Sequence, residues 1–254
     1  MSSESKPTDL LGLAPYGEAV KSATDKTFET AQAFLYALCR PAAEEAGLLF
    51  RDQIRFWRAK NLARIAEKAQ AFTTVTPEGL QLQAPPRVVH EIIEHGSWCE
   101  QEELQSMWAG LLASSCTKDG VDDSSLPFID ILKRITSAEA KLIEHVCKNS
   151  IVDASPSGVL RGRSVDLSLE QIQAITGWKD KTLAQACIEH LVSLGLLKEQ
   201  PAIFFNGTPK VPWIQPEPLT LHFYVRCCGS RIATKQFFDE LASKTGKTAF
   251  SEAE

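Results

Sequence analysis

Residues 41–70, PAAEEAGLLFRDQIRFWRAKNLARIAEKAQ, form the longest stretch of the chain that reads as one uninterrupted amphipathic helix. Pro41 suits a first helical turn, where its missing N–H costs nothing, and Glu44 and Glu45 complement the positive end of the helix dipole. At about 100° per residue, Ala46, Leu49, Phe50, Ile54, Trp57, Ile65 and Ala69 fall near one face, widened by Phe56 and Leu62. That face is predicted to be buried. Arg51, Arg55 and Arg58 recur at i, i+4, i+7 as one cationic row, and Lys60, Arg64 and Lys68 form a second row.

The local charge is uneven. Between Arg51 and Lys68 six basic residues face two acidic ones, a balance of +4 inside a chain of 254 residues with formal net charge −5. Between Arg87 and Ser115 five acidic residues, Glu91, Glu94, Glu100, Glu102 and Glu103, face Arg87 alone, a balance of −4. The basic rows therefore have two readings. They pair internally with the acidic helices, or they bind an anion, a nucleotide, nucleic acid or an acidic protein through Arg51, Arg55, Arg58, Lys60 and Arg64.

Hydrophobic residues at 44% and charged residues at 23% are ordinary for a globular chain of this length, which can bury a core without disulfides or metal. Seven scattered Cys and a polar start, MSSESKPTD, without an apolar h-region predict neither a disulfide framework nor export; a reducing cytoplasm fits best. No window approaches the length of apolar sequence that spans a bilayer, so integral membrane insertion is not expected. Residues 1–9 read as a mobile leader. Residues 10–38 read as an amphipathic helix packed on the central one, with a membrane-surface role as the alternative.

Residues 73–86 read as a loop, Pro86 as the start of a helix RVVHEIIEH capped by Gly96, and CEQEELQSMWAGLLASS as a further helix burying Leu104, Met107, Trp108, Leu111 and Leu112. The polar stretch 115–125 marks the expected boundary between a helical domain, 10–125, and a second domain, 126–230, followed by a C-terminal helix and mobile tail over 231–254. In the second domain, after a short connecting helix LPFIDILKRI, three helices are predicted: SAEAKLIEHVCKN, then SLEQIQAITGW closed by Gly177, then DKTLAQACIEHLVSLGLL capped by Asp180. Residues 150–162 read as an expanded loop, and IFFN with PLTLHFYVRCC as a β-ribbon. The fold class expected is mainly α, a multi-helix N-terminal domain followed by a small winged-helix-like α/β domain.

The Pro-Ala-Ala-Glu-Glu-Ala-Gly-Leu-Leu run passing into the Arg-Trp-Arg helix, with CEQEELQSMWAGLLASS after it, resembles the Abi-alpha family of bacterial abortive-infection proteins over about Pro41 to Cys228. The resemblance implies a phage-defence setting and transfers no catalytic residue. A DNA-reading alternative would place Lys179, Lys181, Thr182 and Gln185 in a groove. Charge opposes it, because nine basic and nine acidic residues share Ser137 to Arg226. His90, His95 and Cys99, His145 with Cys147, and His222 with Cys227 and Cys228 lack the paired spacing of zinc ligands. No nucleophile elbow, phosphate loop or HExxH motif is present. The expectation is a protein that acts by binding, with no cofactor, no metal and no catalytic residues. Its partner would be a protein or a second copy, with a nucleic-acid regulator or a membrane-active effector as alternatives.

Overall fold

The computed structural model describes residues 55–73, 82–200, 204–205, 208–209 and 213–245. These divide into two compact units, one ending at Lys133 and the other beginning at Arg134. The expected helix over 10–38 and the first part of the central helix, including Arg51, lie outside the described residues.

In the first unit α1 (Arg55–Thr73) lies along α3 (Glu102–Ser114). Ala, Leu, Arg, Lys and Gln dominate α1, all of them strong helix formers. Its buried stripe is Arg58, Ala59, Asn61, Leu62, Ile65, Ala66 and Ala69. The three alanines let α3 approach closely. The expected stripe is thus rotated: Trp57 is half-buried at its margin, and a cation and an amide sit inside it. The five residues Leu104, Met107, Trp108, Leu111 and Leu112 are buried on α3 as the spacing predicts, and α4 (Leu126–Leu132) packs against the same helix.

Between α1 and α3, α2 (Pro86–Glu91) starts at Pro86 and continues into a π-helical turn, Ile92–Gly96. Gly96 does not cap that helix, since it closes the wide turn without a left-handed φ. Its role is close approach: a Cβ there would meet Ile65 Cδ1 at 3.2 Å and the Trp108 ring at 3.3 Å.

The second unit is built on α5 (Ser137–Asn149), α6 (Leu169–Thr176) and α7 (Lys181–Ser193). A capping box fixes the start of α5, although its cap is Thr136, one residue before the expected Ser137: Glu139 N–H donates to Thr136 Oγ1, and Thr136 N–H donates to Glu139 Oε2 at 2.6 Å. Ser168 and Gln171 make a second capping box at α6. Gly177 ends α6 at φ 79°, a left-handed conformation that a side chain would strain, and Asp180 then caps α7. Strands β1 (Val152–Ala154) and β2 (Leu160–Gly162) form an antiparallel hairpin with Val152 opposite Gly162. Pro156, Ser157 and Gly158 supply its turn, so the segment expected as an expanded loop is ordered β structure. β7 (Trp213–Pro216) is the middle strand of an antiparallel sheet, between β3 (Val165–Asp166) and β4 (Leu197–Gln200). β5 (Phe204–Phe205) pairs with β6 (Thr208–Pro209).

The expected strand PLTLHFYVRCC is instead helix α8 (Pro218–Cys227). Pro218 sits in its first turn, and Thr220, Leu221, Phe223, Tyr224, Val225 and Cys227 bury at helical spacing against α5. The β-propensity of Phe, Tyr and Val yields to that packing. α9 (Thr234–Thr245) follows and rests on α8 and β1. The protein is mainly α, with a small α/β region in its second unit.

Candidate functional site

The basic row of α1 divides by environment. Arg58 is turned inward and only 6% exposed. Its Nε donates to Ser97 Oγ at 2.9 Å, and its Nη2 donates to Glu94 Oε2 at 3.0 Å and to the Glu94 carbonyl at 3.2 Å. The guanidinium lies 4.6 Å from the centre of the Trp98 ring. All these partners come from the π-helical turn and the two residues after it. Asn61, one turn along α1, donates to the Ser97 carbonyl at 3.1 Å. Gln105 of α3 donates to the Cys99 carbonyl at 2.8 Å and closes the far side of the same buried polar seam. Lys68 pairs with Glu102 and donates to Ser106 Oγ at 3.2 Å. Part of the +4 and −4 therefore neutralise one another inside the unit.

What remains outward is a different set. Lys60 and Arg64 are exposed and carry no partner among the described residues. Trp57, one turn before Lys60 and two before Arg64, stacks obliquely on Trp98 with ring centroids 5.8 Å apart, and its indole N–H donates to Glu100. Trp98 is 43% exposed. Two tryptophans and two cations without a partner among the described residues thus share one outer surface, with Arg58 beneath as the brace. Arg55 lies in α1 and Arg51 outside the described residues, so neither side chain is placed. Sequence reasoning missed Ser97 and Trp98 as members of the site and assigned Trp57 to the core. Only the adjacency of a hydrogen-bonding Ser to a Trp after the acidic helix hinted at them.

The residues proposed for a DNA groove meet a different fate. Lys181 pairs with Glu170 at 3.0 Å, Gln185 donates to both oxygens of Glu199 at 3.3 Å, and the backbone N–H and hydroxyl of Thr182 both bond Asp180 Oδ1. Lys179 is exposed, and its carbonyl accepts from Gln173 Nε2 at 2.5 Å. The start of α7 brings Lys179, Lys181, Thr182 and Gln185 together, and three of the four are held by carboxylates.

Several ionisable groups elsewhere are buried or paired. Burial pushes the Cys187 thiol up to about 12 and the Cys228 thiol up to about 11; it also raises Cys147 and Cys227. Burial raises Cys99 as well, opposed by the neighbouring Trp108 N–H. At neutral pH these thiols keep their protons and are poor nucleophiles. Lys133 holds the Glu91 carboxylate below its usual range through a 2.6 Å ion pair, and His95 sits 3.4 Å from the same carboxylate. His190 Nδ1 contacts the nearly buried Glu139 at 2.5 Å. Among the described residues no group of three or more His, Cys, Asp or Glu is placed to hold a metal ion, and no helix is long and apolar enough to cross a membrane.

No curated protein and no solved structure matches the chain. A family model described as Abortive infection alpha matches residues 58–211, from the buried Arg58 through the turn that carries Ser97 and Trp98 to the α5–α7 helices; this is more than half of the 254 residues, and the chain belongs to that family.

Proposed function

We propose that the protein is a cytoplasmic phage-defence component that works by binding a partner or infection signal, and that the outer face of α1 with Trp98 is its contact surface. The observation that carries this reading is the pairing pattern. Arg58 is held by Glu94 and Ser97, whereas Lys60 and Arg64 have no partner among the described residues and lie beside Trp57 and the exposed Trp98. Aromatic residues and arginine concentrate at contact surfaces because they combine apolar area with a polar handle. Protonated thiols at Cys187 and Cys228 support binding over nucleophilic chemistry. The α6–α7 pair and its sheet are read as a winged-helix-like module for protein contact, since carboxylates occupy the groove-reading positions and Leu183 is 48% exposed.

The test is phage challenge of cells producing the parent, W98A or the double variant K60Q/R64Q at matched abundance. Protection is expected to fall in both variants while their melting curves stay close to the parent's. Full protection from both would refute the assignment of this surface.

A further inference from the structure

We infer that the outer face of α1, from the Trp57–Trp98 pair past Lys60 and Arg64 to Phe72, binds single-stranded nucleic acid, with bases stacked on the rings and phosphates on the two cations. This rests on the contact surface proposed above and names its ligand. On a helical wheel Trp57, Arg64, Lys68 and Phe72 share one face, with Lys60 at its edge. Phe72 is 40% exposed and lies about 22 Å beyond Trp57 at about 1.5 Å per residue. That is room for about six nucleotides at about 3.4 Å each.

Two features together choose this ligand. An acidic peptide would satisfy Lys60 and Arg64 but leave exposed rings without a stacking partner. A neutral sugar would use the rings and leave the cations idle. A base with its phosphate satisfies both, which is how stacking platforms hold single strands without reading sequence. Arg58 closes part of Trp98 from below and holds the ring in place for stacking. A duplex keeps its bases stacked on one another and offers the rings nothing.

The charge on this face limits the electrostatic part. Glu67 is exposed on α1, Glu100 holds the Trp57 N–H and Glu102 holds Lys68, so two phosphate contacts are the ceiling. At about −0.7 per phosphate for single strands, log affinity should fall with log salt at a slope of about −1.4, shallow for a nucleic-acid binder. Stacking carries the rest.

The experiment is titration of the full chain into a fluorescein-labelled oligothymidylate of roughly 12 nucleotides, long enough to cover the row. A duplex of equal length and inorganic polyphosphate serve as competitors. The parent should bind, neither competitor should displace the strand efficiently, W98A should weaken binding by about 5- to 100-fold, and W98F should restore most of it. K60Q/R64Q should weaken binding at low salt and bring the slope near zero. The inference is overturned if the parent does not bind, if polyphosphate competes as well as the oligonucleotide, or if W98A binds like the parent. Should the parent fail to bind while W98A and K60Q/R64Q still lose phage protection, the surface stands and its ligand is of another class. Should binding follow the tryptophan while protection is indifferent to it, the ligand is right and the defence role of the surface is wrong.

Discussion

Replacing Arg58 by Ala should destabilise the first unit far more than removal of a surface arginine would. Three donor contacts disappear, to Ser97 Oγ, Glu94 Oε2 and the Glu94 carbonyl, along with the contact over Trp98. The charged bond to Glu94 contributes about 1.5–3 kcal/mol, the contact to Ser97 about 1 kcal/mol, and the cation over the ring about 0.5–1 kcal/mol. Against this, the Glu94 side chain is 33% exposed, so water can resolvate the stranded carboxylate. A net loss of about 2–4 kcal/mol follows, near the lower end for breaking a buried ion pair. Hydrogen exchange across α1 reads this directly: its slowest amides should exchange about 30- to 700-fold faster, since each 1.4 kcal/mol is tenfold. R58K, which keeps the charge but loses the planar fork, should fall between parent and R58A. If R58A exchanges within about two-fold of the parent, Arg58 is solvated in solution and the brace described here does not exist.

G96A should cost about 1–3 kcal/mol in urea unfolding of the first unit, because the added methyl meets Ile65 and Trp108 at 3.2–3.3 Å; an unchanged midpoint would show that the helices can part cheaply. G177A should cost about 1–2 kcal/mol for a different reason, since its φ of 79° strains a side chain although nothing lies within 4 Å of its Cβ. Burial, with Arg226 nearby, lowers the His222 pKa in the fold, so the unfolded chain binds the proton more readily. Thermal stability should therefore drop as pH falls below about 6.5, and H222Q should flatten that drop. Glu91, held below the usual carboxylate range by Lys133, stabilises the first unit above about pH 4.5 and loses this as pH falls further; an acid-unfolding curve of E91Q that matches the parent would contradict the pair.

Much of the second unit was legible locally. Ser168 with Gln171, Gly177 and Asp180 are neighbours in sequence, and each fixes a helix end through bonds spanning two to four residues. The buried positions of α3 followed from spacing alone. Pro218–Cys227 misled because Phe, Tyr and Val favour strands, whereas the decisive contact is with α5, about eighty residues earlier. For Arg58 the opposed charge blocks left two readings open, internal pairing or a ligand, and only the fold, which brings Glu94 and Ser97 from 36 and 39 residues away, selects the first. Which cations would pair, and which would stay free beside Trp57, depended on how α1 is rotated against α3.

The π-helical turn Ile92–Gly96 is the size of a single added codon. Such a turn holds one residue more than the α-helical turn it replaces, and the chain beyond it is displaced by about 100° around the axis. Ser97 and Trp98 lie immediately beyond it. A one-codon deletion anywhere within residues 92–96 would let the helix run on regularly and would carry the hydroxyl and the indole away from Arg58 together. The length of this short segment, as much as its composition, thus sets where Ser97 and Trp98 stand, and a variant shorter there by one residue should lose the whole platform in a single step.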